Sequence, residues 1–183
     1  MKKLIIIFLI HIFSFNSAYS IDEILPSLKE GGKIIFIRHA YAPGGGDPEN
    51  FNIHDCSTQR NLSESGRIQS RKIGNFFTEN KIKIENVYSS EWCRCKETAF
   101  LAFKDFKTKS FLNSFFSSEF VQNKDSQMRD FQKFLLDWDE KTNLIFVTHY
   151  VVISEILDYP SSSGEIVISN KSFKIIDTLE IEY

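Results

Sequence analysis

The chain has 183 residues, of which 42% are hydrophobic and 25% charged; this is one domain of ordinary size and composition, and it argues against a disordered chain. Lys and Arg number 22 against 24 Asp and Glu, a net charge of -2, which excludes an overall basic nucleic-acid binder held to phosphate by surplus cations. No stretch repeats, and the 18 Phe, scattered among Lys, Ile and Asn, read as core filling.

The N-terminus carries Lys2 and Lys3, an apolar run from Leu4 to Phe13, and then Ala18-Tyr19-Ser20. A short basic region, about ten apolar residues and small residues at the −3 and −1 positions describe a secretory signal peptide cut after Ser20. The run is too short for the roughly 20 residues that span a bilayer, so no stable membrane span is expected after cleavage. Residues 21–183 are then expected as a single exported domain, periplasmic in a double-membraned bacterium.

Lys33-Ile34-Ile35-Phe36-Ile37 is a short β-branched run of the kind buried on both faces of a parallel sheet. A loop rich in Gly and Pro follows from Tyr41 to Gln59. Ser63 is placed to N-cap a helix reaching about Asn80, with Ile68, Ile73, Phe76 and Phe77 at helical spacing. A second strand is predicted over Ile84–Tyr88, a helix over Trp92–Phe103, and a weaker strand near Lys109–Leu112. Ser126–Trp138 reads as a third helix, Asn143–Val147 as the clearest strand, and a short helix runs through Ile153 and Leu157. Glu165–Ser169 and Phe173–Ile181 close the chain as a hairpin around Asn170-Lys171. Strands separated by helices predict an α/β three-layer sandwich, a mostly parallel sheet with helices on both faces.

Three polar motifs fall at carboxyl ends of strands, where open α/β sheets hold their ligands. They are Arg38-His39, Ser89-Ser90-Glu91-Trp92-Cys93-Arg94 and Thr148-His149. Arg38 alone would read as an ion pair and His149 alone as a core histidine; two His and two Arg on one rim read as a site. Guanidinium forks match phosphate oxygens, and the start of the helix after Ser90 adds partial positive charge. A His among such cations stays neutral near pH 7 and can act as a nucleophile, splitting phosphoryl transfer into two steps. Side-chain cations would stabilise the transferring group, so neither a metal nor another cofactor is expected.

The ordered set Ile37-Arg38-His39-Ala40, Asn61-Leu62-Ser63 with Gly66, Ser89-Ser90 to Arg94 with Glu97-Thr98-Ala99, and Val147-Thr148-His149 resembles the histidine phosphatase superfamily, which includes the phosphoglycerate mutases. The resemblance implies that His39 becomes phosphorylated, with Arg38, Arg94 and His149 binding the phosphoryl group. Arg60 matches a further phosphate-pocket Arg of some small members, whereas Arg67 and Arg71 read as surface charges. The sequence departs from the family in Ala40, where Gly is common, and in Tyr150, where branches of broad activity carry Asp. The segment Leu112–Phe116 also lacks the Glu of mutase-like branches. The general acid is unassigned, with Glu91 and Asp47 as candidates by position. A mutase is the weaker expectation, because the chain lacks room for mutase loops.

Gly44-Gly45-Gly46-Asp47-Pro48 lacks the Gly-Lys-Ser/Thr ending of a nucleotide loop and reads as a substrate-facing lid or a plain turn. The segment from Asp47 through Asp55-Cys56-Ser57-Thr58-Gln59-Arg60, with Trp92-Cys93-Arg94-Cys95, resembles the small exported branch that contains the lipopolysaccharide core heptose phosphate phosphatase. The expected partner is thus a small-molecule phosphate ester, with a lipopolysaccharide sugar phosphate as the leading class. Cys56 paired with Cys93 or Cys95 would pin the long loop to the site; three free thiols, or a metal held by them with His54, are the alternatives. Two further readings stand beside the phosphatase: a non-catalytic phosphate-ester binding module of the same fold, and a thiol or metal protein.

Overall fold

The computed structural model describes residues 21–84 and 86–183; the expected signal peptide, residues 1–20, lies outside them. Six strands form one sheet: β1 (Ile34–Arg38), β2 (Asn86–Ser89), β3 (Lys107–Thr108), β4 (Leu144–Thr148), β5 (Ile166–Ser169) and β6 (Ile175–Leu179). Their order is β3-β2-β4-β1-β5-β6. The first four are parallel, and the closing hairpin adds β5 and β6 antiparallel. The helices are α1 (Ile21–Glu30), α2 (Glu64–Glu79), α3 (Cys93–Phe103), α4 (Lys124–Leu136) and α5 (Tyr150–Leu157).

Alternation along the strands divides the core into two layers. Ile35, Ile37, Ile145, Val147, Ile166 and Ile168 turn to one face, where they meet Leu28 of α1, Ile73 and Phe77 of α2, and Cys95 and Ala99 of α3. Ile34, Phe36, Leu144, Phe146 and Val167 turn to the other, under Phe131 and Leu135 of α4 and Ile153 and Leu157 of α5. Both faces are covered, which is why these strands read as unbroken apolar runs. The fold is the three-layer α/β sandwich that the order of elements predicts. Among the described residues no helix is long and apolar enough to cross a membrane.

Four details differ from the expectation. The strand expected near Lys109–Leu112 is only the two residues of β3, and Ser110–Leu112 is a 3-10 turn. Phe111 and Leu112 bury from that turn, so their apolar character marks burial and not extended chain. Helix α1 lies in a stretch for which no element was expected; it accommodates Pro26, and Ile24 and Leu28 seal one edge of the core. Ile68 keeps the spacing of the α2 core face but is 45% exposed. The hairpin strands are shorter than predicted, at four and five residues.

Helix α2 begins where Ser63 Oγ accepts the Gly66 N–H at 3.1 Å. A Cβ at residue 66 would stand 2.1 Å from the Tyr41 carbonyl oxygen, so only glycine lets α2 start against the chain leaving β1. The expected N-cap and glycine therefore fix the loop of residues 41–63 at the carboxyl end of β1.

Candidate active site

β2, β4 and β1 are consecutive neighbours in the sheet, so the three polar motifs emerge side by side. The His39 N–H donates to the Thr148 carbonyl at 2.9 Å, and the Ser90 N–H to the Val147 carbonyl at 3.0 Å. This puts the imidazoles of His39 and His149 5.5 Å apart between ring centres, edge to face. Arg94, on the first turn of α3, lies between them. Its Nε donates to His39 Nε2 at 3.2 Å and its Nη2 to His149 Nδ1 at 3.4 Å. All three side chains are buried, at 2–3% exposure, yet they line a cavity of about 360 Å³ together with Arg38, Arg60 and Asp47.

The tautomer of each histidine is fixed by its neighbours. His39 Nδ1–H donates to the Ala40 carbonyl at 2.9 Å, leaving the Nε2 lone pair toward Arg94 and the cavity. His149 is held the other way round. Since Arg94 can only donate to Nδ1, the proton is on Nε2, which donates to Ser90 Oγ at 2.8 Å. Ser90 Oγ passes its own hydrogen to Asn113 Oδ1 at 3.1 Å, and Asn113 Nδ2 donates to Glu91 at 2.6 Å. Burial, and then the positive charge of Arg94, push both imidazoles well below their ordinary protonation range; Arg60 and Arg38 add to the effect. Both are therefore neutral near pH 7.

The structure separates the two candidate acids. Glu91 does not line the cavity; its carboxylate closes the hydrogen-bond chain that begins at His149. Asp47 does line it, but both oxygens face Arg94, at 2.7 and 3.2 Å. Burial pushes that carboxyl up, but Arg94, the Arg60 N–H and Trp92 Nε1 outweigh it and hold it below the ordinary carboxylate range. Glu49 and Glu119, which the motifs do not single out, stand in the wall of the cavity. Arg60 reaches the cavity while giving Nε and Nη1 to the carbonyls of Gly46 and Ala42. Arg38 gives Nη1 to the Ser161 carbonyl at 2.7 Å and lies 5.6 Å over the Tyr150 ring. Its Nε is buried and has no hydrogen-bond partner among the described residues. Arg67 and Arg71 lie apart on α2, paired with Glu97 and Glu64.

Cys56 is bonded to Cys93, one residue before Arg94, so the alternatives of three free thiols and of a metal held by these sulfurs are overturned. Cys95 stays reduced and buried, its thiol pushed up to about 12 by burial, with Sγ 3.5 Å from His149 Nε2. Sequence reasoning missed the aromatic wall. Phe51 stacks on Trp92 at 4.9 Å, and Phe120 meets both rings edge-on at 5.5 and 5.6 Å. Phe116 and Tyr150 complete the lining. The only sequence signal was the surplus of Phe, some of which borders the site instead of filling the core.

No family model matches the chain, and no curated protein matches it. Solved structures do. A protein assigned as the phosphohistidine phosphatase SixA, from Agrobacterium tumefaciens, superposes with a TM-score of 0.57 at 14% identity, over 82% of this chain and 98% of that one. Phosphoglycerate mutase from Thermus thermophilus gives 0.57 at 14% over 82% and 99%. The fold is phosphoglycerate mutase-like. A protein assigned as an alpha-ribazole-5'-P phosphatase from Escherichia coli gives 0.59 at 15% over 83% and 98%. Likeness at this identity speaks for the phosphoglycerate mutase-like fold; the chemistry of this chain has to come from its own residues.

Proposed function

We propose that the protein is an exported phosphomonoester hydrolase that works through a phosphohistidine on His39. One observation carries the reading. The Nε2 lone pair of a buried, neutral His39 faces a cavity in which Arg38, Arg60, Arg94 and His149 converge. A phosphate monoester entering there meets cations on several sides, and the donors of Arg94 pass from imidazole nitrogens to phosphoryl oxygens. His39 Nε2 bonds to phosphorus as the bond to the leaving oxygen breaks, and that oxygen takes up a proton. Water then attacks phosphorus, the N–P bond breaks, and inorganic phosphate leaves with His39 neutral again. The side-chain cations supply the charge stabilisation, so turnover needs no metal ion.

The aromatic rings favour a leaving group with an apolar face, and the C–H face of a sugar packs well on such rings. Together with the sequence signals for export, this supports a phosphorylated sugar of the cell envelope, such as a lipopolysaccharide sugar phosphate. The Cys56–Cys93 bond supports an oxidising compartment.

The test is phosphate release from sugar phosphates, an aryl phosphate and a phosphohistidine donor, in the presence of chelator, with a His39→Ala variant alongside. Turnover should survive the chelator and fall at least about 10³-fold in the variant, the scale of losing a nucleophile. Binding of esters without any release of phosphate would instead indicate a non-catalytic binding module.

A further inference from the structure

Arg94 has five N–H donors, and each has an acceptor. Nη1 donates to Asp47 Oδ1 at 2.7 Å and to the Arg60 carbonyl at 3.3 Å. Nη2 donates to Asp47 Oδ2 at 3.2 Å and to His149 Nδ1 at 3.4 Å. Nε donates to His39 Nε2 at 3.2 Å. The guanidinium thus presents two distinct edges. Its terminal edge, Nη1 and Nη2, is gripped by a carboxylate in fork-to-fork fashion. Its side edge, Nε and Nη2, faces the two imidazoles where the phosphoryl group would form. An arginine without that grip could swing its terminal edge toward the nucleophile.

We infer that Asp47 is a positioning residue that locks Arg94 with its side edge toward His39, and that it is not the proton donor to the leaving group. This rests on the phosphatase reading above. Its carboxylate accepts four hydrogen bonds, two from Arg94, one from Trp92 Nε1 at 3.0 Å and one from the Arg60 N–H at 3.0 Å. Four donors fill the in-plane lone pairs of both oxygens, and a proton added to either would have to displace one. Asp47 follows Gly44-Gly45-Gly46, with φ of +88° at Gly44 and +72° at Gly46. A Cβ at Gly45 or Gly46 would meet nothing within 4 Å, so packing does not hold this turn in place. Arg60 does, through its bonds to Ala42 and Gly46. In this reading Arg60 fastens the turn, the turn presents Asp47, and Asp47 orients Arg94.

The test measures kcat/KM of wild type and Asp47→Asn on phenyl, 4-nitrophenyl and 2,4-dinitrophenyl phosphate, with orthovanadate affinity by calorimetry. A positioning role predicts an equal loss on all three esters, about 10²-fold, and a comparable weakening of vanadate binding. A loss that vanishes for the dinitrophenyl ester, whose phenolate leaves without a proton, would make Asp47 the acid and overturn the inference. Unchanged or tighter vanadate binding would also overturn it, because the carboxylate would then compete with the anion. If Asp47→Asn does not fold, Asp47→Ser takes its place on the same three esters and with vanadate, where an equal loss on all three is expected and a loss that vanishes for the dinitrophenyl ester would overturn the inference. Wild-type protein that binds vanadate but turns over no ester defeats the phosphatase reading alone, since the vanadate comparison still tests Asp47. Wild-type protein that binds no vanadate defeats both.

Discussion

Two arginines that line the cavity, Arg94 and Arg38, are held in opposite ways. Arg94 is 3% exposed and every donor is engaged before any ligand arrives. Arg38 is half-buried, holds one carbonyl through Nη1, and has an Nε without a partner among the described residues. Arg94 is part of the scaffold, joined through Asp47 and the Cys56–Cys93 bond to the long loop. Arg38 keeps binding capacity for what enters. A ligand must therefore take donors from the imidazoles on the Arg94 side, whereas Arg38, bound to the protein through Nη1, has donors left for what enters.

That contrast is sharpest where activity and stability are measured on the same variant. Arg94→Met should abolish most turnover, by about 10³-fold, and also destabilise the fold by about 2–3 kcal/mol, because the half-buried Asp47 is left without its counter-charge. Arg38→Met should cost about 10²-fold in kcat/KM while leaving stability within about 1 kcal/mol, since the half-buried Arg38 holds the fold through one hydrogen bond to the Ser161 carbonyl. Denaturant melts beside kinetics check both, and equal destabilisation by the two would break the comparison.

The disulfide belongs wholly to the Arg94 side. It joins residues 37 apart in sequence, and Cys56→Ser should lower stability by about 2–4 kcal/mol under oxidising conditions. Thermal melts with and without reductant read this, since reduced wild type and the variant should then coincide. Activity should fall less than in the arginine variants, because Gln59 Oε1 still accepts the Cys93 N–H and the Arg94–Asp47 pair remains.

The effect that is smallest at neutral pH, and that grows as pH falls, is that of the histidines. His39 and His149 protonate well below the ordinary imidazole value near 6.5 when folded, and at that value when unfolded. The unfolded chain therefore binds more protons as pH falls through 6.5, and stability falls with it, by up to about 1.4 kcal/mol per pH unit for each histidine. Asp47 is depressed as well, so its contribution is lost only at more acid pH, through its folded value. Melts between about pH 4.5 and 6.5 should show the slope. A His39→Gln, His149→Gln double variant should flatten it.

Much of this was legible in the chain itself. The runs Ile34–Ile37 and Leu144–Val147 can only be strands covered on both faces, and the Ser63 cap with Gly66 marks the start of α2. Because the polar motifs directly follow strand signals, their meeting at one rim follows from a parallel sheet. The misread segments are those where local character and burial part company. Phe111 and Leu112 are buried by a turn, and Phe51 and Phe120 border a cavity.

Sequence alone thus determined the strands, the rim they feed and the residue types gathered there, because hydrophobic period and the polar motif after each strand are read over a few residues at a time. It could not decide which edge of Arg94 faces His39, which nitrogen of each imidazole carries the proton, which cysteine pairs with Cys56, or that Asp47 is a ligand of Arg94. Those follow from partners tens of residues apart: Ser90 meets His149 because β2 pairs with β4, and Asp47 meets Arg94 and Cys56 meets Cys93 where the loop of residues 41–63 packs on the start of α3.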